Sequence, residues 1–100
     1  MAELTRKDLV LALIAAGDHP RLRRLDLSGM DLSGLSLDGA DLTGAQLQGT
    51  NFQGAHLAQA ILAQSECTNA NFNGADLTNV DWTNASIQNA SFENALGYRG

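Results

Sequence analysis

The stretch GADLTGAQLQGTNFQGAHL, residues 39–57, carries a large apolar residue at every fifth position: Leu42, Leu47, Phe52 and Leu57. A strand returns to one face every second residue and a helix about every 3.6, so neither keeps these side chains together. The step extends in both directions. Counting from Leu27 it meets Leu32, Leu37, Leu42, Leu47, Phe52, Leu57, Leu62, Cys67, Phe72, Leu77, Trp82, Ile87 and Phe92.

Two residues before each of these centres the chain places small or apolar residues almost throughout, from Leu25, Met30 and Leu35 to Val80, Ala85 and Ala90, and Ala95 continues the series. Two residues after each centre it places Gly or Asn, with Gln59 and Gln64 as the departures. Gly and Asn accept positive φ more readily than other residues, which is the chemistry of a corner. Two positions separated by two residues share one face of an extended segment. A short alternation broken by a corner every five residues therefore wraps the chain around its own inward side chains.

This pattern, written here as ADLTG (40–44), ANFNG (70–74) and ADLTN (75–79), resembles the A(D/N)LXX repeat of pentapeptide-repeat proteins. The resemblance covers fourteen consecutive units, Leu25 to Asn94. It implies an all-β fold, a right-handed quadrilateral parallel β-helix with four units per coil and about 3.5 coils. Residues twenty apart should then stack, so Leu32, Phe52, Phe72 and Phe92 would form one core ladder. Cys67 would fall in the column of Leu27, Leu47 and Ile87, as a small buried apolar residue.

The two ends differ. Residues 1–24 read as an N-terminal capping helix and linker: Thr5 and Asp8 resemble an N-cap, Leu9, Val10, Leu13 and Ile14 make an apolar face, and Gly17 and Pro20 are stop signals. The helix is expected over 4–16, with a degenerate unit, PRLRR (20–24), joining it to the repeats of residues 25–95. The basic and apolar run of residues 6–17 also imitates a secretory signal, which makes export the alternative to a cytoplasmic location; Glu3 and Asp8 argue against it. Residues 96–100 form a short tail. Gly97 occupies the next centre position and ends the register. The last coil thus presents Leu77, Trp82, Ile87 and Phe92, covered by Leu96 and Tyr98 in a monomer or by a partner, most simply a second copy related by a two-fold.

Composition excludes several functions. The single cysteine rules out an internal disulfide, and no Cys or His cluster has metal-ligand spacing. No apolar run is long enough for a membrane span. No nucleophile, base and orienting group recur together, and His19 and His56 stand alone. No enzyme, cofactor or metal is expected. Between Leu25 and Asn94 there are eight acids, Asp26, Asp31, Asp38, Asp41, Glu66, Asp76, Asp81 and Glu93, and no Lys or Arg. Such a surface repels phosphate, so direct nucleic-acid binding is not expected.

The reading that follows is a non-enzymatic structural or protein-interaction module, a rigid acidic scaffold whose partner the residues do not name. The resemblance supplies an alternative, because some pentapeptide-repeat proteins imitate duplex DNA and act on DNA gyrase. An acidic rod meets the electrostatic requirement, but roughly 3.5 coils at about 4.8 Å each equal only some five base pairs.

Overall fold

The computed structural model describes Thr5, Arg6, Asp8, Leu9, Ala12, Leu13 and residues 21–98. From Arg21 to Leu96 the backbone closes parallel bridges between residues twenty apart, from Arg21 with Asp41 to Asp76 with Leu96. Five residues separate successive bridges along the chain, so four units complete each return. Among the described residues the paired coil runs from Arg21, inside the stretch expected to be linker, to Leu96, one residue past the expected boundary.

One wall shows how the ladder is built. Leu32 donates its N–H to the carbonyl of Asn51 (2.7 Å) and Gly34 donates to Gln53 (2.9 Å), while Asn51 donates back to Met30 (3.0 Å). The next coil repeats this with Phe52 to Asn71 and Gly54 to Asn73. Each side thus uses two donors and one acceptor toward the following coil. At the corner the N–H three residues after a centre returns to the centre's carbonyl, as Ala55 does to Phe52 (2.9 Å). Such turns accept a residue of positive φ at their third position. Gln59 and Gln64 adopt it with φ of 64° and 61°, as the Asn corners do; the register dictates the corner even where the side chain is a poor fit.

The centres fill the interior. Leu27 to Leu77 are fully buried at every fifth residue, with Ala40, Ala45, Ala55, Ala60, Ala70 and Ala75 beside them. Phe52 and Phe72 stack at 4.9 Å with rings 4° apart, and Phe72 and Phe92 at 5.3 Å, also 4° apart, above the buried Leu32. Phe92 is only half-buried, being in the last coil. Two polar residues at inward positions satisfy themselves: Thr50 Oγ1 donates to the Leu27 carbonyl (2.8 Å) and Ser65 Oγ to that of Leu62 (2.7 Å). Leu25 departs from the inward expectation and is 37% exposed. Leu is larger than Ala45, Ser65 and Ala85, which hold this position in later coils, and Leu25 lies in the first coil.

Arg6, Asp8, Leu9, Ala12 and Leu13 are helical. Thr5 and Asp8 form the reciprocal pair of an N-cap, Asp8 N–H to Thr5 Oγ1 (3.1 Å) and Thr5 N–H to Asp8 Oδ2 (3.3 Å). Leu9 is buried in the core and Leu13 packs against it. The Arg6 guanidinium donates to the carbonyls of Asp31, through Nη1, and Ser33, through Nη2 at 2.8 Å. Val10, Ile14, Gly17, His19 and Pro20, with most of the 4–16 helix and of the 6–17 stretch, lie outside the described residues. Among the described residues no helix is long and apolar enough to cross a membrane.

Candidate interaction surface at the C-terminal coil

Most of the acidic side chains are engaged in the backbone. Asp26, Asp31, Asp41, Asp76 and Asp81 each stand one residue before a centre, and Oδ1 of each accepts both the N–H and the hydroxyl of the Ser or Thr two residues on. Asn51 and Asn71 accept the N–H of Gln53 and Asn73 in the same way. These bonds favour the ionised form and hold the carboxyls of Asp26, Asp31, Asp76 and Asp81 below the usual range, the hydroxyl contributing most. For Asp41 burial is the largest single effect and acts upward, but Thr43, Arg23 and Arg21 together outweigh it. Asp38 works between coils, accepting the N–H of Ala58 (3.0 Å). Glu66 and Glu93 are exposed. Asp26, Asp41 and Asp76 are half-buried in their own turns. The D-x-S/T spacing in the sequence was the available signal for this role.

Among the described residues no group of three or more His, Cys, Asp or Glu side chains is placed to hold a metal ion. His56 is exposed in the column between Ser36 and Asp76. Cys67 is fully buried, with Ser65 Oγ 3.2 Å from its sulfur, and burial pushes its thiol up to about 11. A thiolate is therefore scarce at neutral pH.

The C-terminal coil is different. Trp82, Ile87 and Phe92 are half-buried there, whereas the matching centres of the preceding coils are sealed. Gly97 has φ of 75° and lies against Thr78, so close that an added Cβ would stand 2.6 Å from the Thr78 Cα. This close turn carries the chain off the register and lays Tyr98 on Phe92, with ring centroids 3.8 Å apart and planes 3° from parallel. Tyr98 also meets the Trp82 indole edge-on at 5.7 Å. Of the two side chains expected to cover the end, Tyr98 does so; Leu96 pairs with Asp76 through its backbone and leaves its side chain outside, 61% exposed. Leu77, expected at the interface, is already buried. Tyr98 covers only the Phe92 side, and a cleft of about 580 Å³ remains beside it, lined by Leu77, Val80, Trp82, Ile87, Gly97 and Tyr98.

A chain that returns on itself every twenty residues, with an apolar centre every fifth residue and no reactive cluster among the described residues, is a β-helical solenoid of five-residue units. Eight copies of the pentapeptide-repeat family model match it, over residues 21–59, 50–81 and 65–95. The chain belongs to the pentapeptide-repeat family, whose members form right-handed β-helices.

Among solved structures it is similar to Rfr23, a pentapeptide repeat protein from the cyanobacterium Cyanothece 51142, at 33% identity and a TM-score of 0.59, over 76% of this chain and 56% of that one. It is also similar to alr5209, a pentapeptide repeat protein from Nostoc PCC 7120, at 27% identity and a TM-score of 0.50, over 88% of this chain and 75% of that one. HetL, from Nostoc sp. strain PCC 7120 and involved in heterocyst differentiation regulation, matches at 26% identity and a TM-score of 0.46, over 77% of this chain and 40% of that one. The chain spans little more than half the length of Rfr23 and less than half that of HetL. No curated protein matches it.

Proposed function

We propose that the protein is a non-enzymatic, cytoplasmic protein-interaction scaffold. It is a rigid four-sided rod of about 3.5 coils, capped at its N-terminus by the helix that carries Arg6 and Leu9, and its partner-facing end is the C-terminal coil. The observation that carries this reading is the contrast between the two ends. At the N-terminal end a buried Leu9 and the Arg6 guanidinium occupy the core and the ladder edge. At the other end the Trp82 and Ile87 side chains border an open cleft. Solenoid ends need covering, and a partner would complete the end that the described residues leave uncovered.

Turn-bound carboxylates support the non-enzymatic reading, because a carboxylate that accepts two bonds from its own backbone loop is a poor general base at neutral pH. Membership of a family of scaffold proteins supports it as well. The DNA-mimic alternative gains no support: the molecule measures 32 × 27 × 21 Å, and none of the relatives named above is described as acting on DNA.

Photo-crosslinking tests the reading. A benzoylphenylalanine at position 87 should capture a protein partner in the native cell, and one at position 48, on the side of the first coils, should not. Equal capture at both, or none at either, removes the scaffold assignment.

A further inference from the structure

The edge of the last coil has a pattern that says what fits on it. On the side of residues 60–64, Leu62 and Gln64 donate to the carbonyls of Asp81 and Thr83 (2.8 Å each), and Asp81 donates back to Ala60 (3.1 Å). One coil further the equivalent groups are the N–H of Trp82, the N–H of Asn84 and the carbonyl of Val80, and none of them has a backbone partner among the described residues. They form a ready edge for one more parallel strand. The cleft opens beside two of these residues, Val80 and Trp82, so a strand laid there would place its central side chain over the Trp82 indole and its neighbours outward, above Asp81 and Thr83.

Charge decides which neighbours. The column that ends at Asp81 begins with Arg21 bridged to Asp41, and Arg23 Nε lies 3.5 Å from Asp41 Oδ2. Within the chain, then, an aspartate at this column is met by an arginine from the adjoining strand. Among the described residues no ion pair includes Asp81, and the body around it holds eight acids without a cation. The geometry points to an extended segment of a partner protein, basic–apolar–basic in sequence, adding as a strand to the 80–84 edge with its apolar residue in the Trp82 cleft. The chain's own Arg21-Leu22-Arg23 has this chemistry and adjoins Asp41 in the same column, from the preceding coil. The proposal rests on the C-terminal coil being the partner-facing end.

The test uses the full chain and two fluorescein-labelled peptides, GPRLRRG and its acidic counterpart GPELEEG. Trp82 is the only tryptophan, so its emission reports the cleft while anisotropy reports binding. The basic peptide should bind saturably, shift the Trp82 emission to shorter wavelength, and weaken about tenfold with Asp81→Lys. Should that variant lose its fold by circular dichroism, Asp81→Asn keeps the turn acceptor and should still remove most of the salt dependence. Equal binding of the acidic peptide, or no change in emission up to about 1 mM basic peptide, overturns the proposal. So does self-association of the protein that the basic peptide fails to displace, since a second copy then occupies the edge. A partner captured at position 87 without peptide binding would reject this inference alone; absence of capture would reject the scaffold reading beneath it.

Discussion

The Tyr98 ring lies parallel to that of Phe92 at 3.8 Å, the closest of the aromatic contacts among the described residues, although the two are six residues apart and the repeat would call for twenty. The stack of Phe52, Phe72 and Phe92 is thereby continued by a residue that has left the coil. Replacing Tyr98 by Ala should cost about 1–2 kcal/mol from lost aromatic contacts and raise the exposure of Trp82. Urea melts followed by Trp82 fluorescence measure both effects.

The turn that delivers Tyr98 depends on Gly97. A Cβ there would meet the Thr78 backbone, and the φ of 75° is strained for any other residue. Gly97→Ala should destabilise by at least about 1 kcal/mol and reproduce the red-shifted emission of Tyr98→Ala. A melt and spectrum identical to the parent would show that Tyr98 does not need this turn.

In the middle of the ladder, Phe72 is stacked on both faces and fully buried. Phe72→Ala should cost about 3–5 kcal/mol, a large share of what a small domain possesses. Chemical denaturation that finds less than about 1 kcal/mol contradicts the stacked arrangement.

Acid should weaken the fold through its turns. The carboxyls of Asp26, Asp31, Asp41, Asp76 and Asp81 are depressed in the folded chain, so the unfolded chain binds more protons as pH drops. The stabilisation is complete above the unfolded value of about 4 and is lost as pH falls through the lower folded values. Changing the five residues to Asn keeps an acceptor at each turn, as Asn51 and Asn71 show, and should flatten the acid limb of the stability profile. An unchanged limb in pH-dependent melts would place the acid sensitivity elsewhere.

Corner strain should be removable. Gln59 and Gln64 hold φ of 64° and 61° without the freedom of glycine, a conformation that costs a side chain about 1–2 kcal/mol. Gln59→Gly and Gln64→Gly, after the entropy that glycine loses on folding, should each raise stability by about 0.5–1 kcal/mol. Thermal melts read the sign directly.

The β-helix was legible because its code is local and repeated: an apolar centre, a small neighbour two before, a corner two after. Even Cys67 could be assigned to the interior from its place in the count, and it is buried. The ends were harder because each is made by contacts that occur once. No period connects Arg6 to the carbonyls of Asp31 and Ser33. Leu96 and Tyr98 are equivalent as cover in the sequence, and the pairing of Leu96 with Asp76 followed by the positive φ at Gly97 separates them. Five of the eight acidic residues of the repeats, Asp26, Asp31, Asp41, Asp76 and Asp81, also serve as turn acceptors, a role signalled by the hydroxyl two positions on.

Because pairing always spans twenty residues, the chain has a natural quantum of length. Arg6 and Tyr98 both act along the side that contains Leu32 and Phe92. Duplicating any twenty-residue block would lengthen the rod and keep its two terminal fittings aligned, whereas an insertion of five would turn one against the other by a quarter of a revolution. Variation in this protein should therefore be tolerated in whole coils, and single repeats gained or lost should be its most damaging lesions.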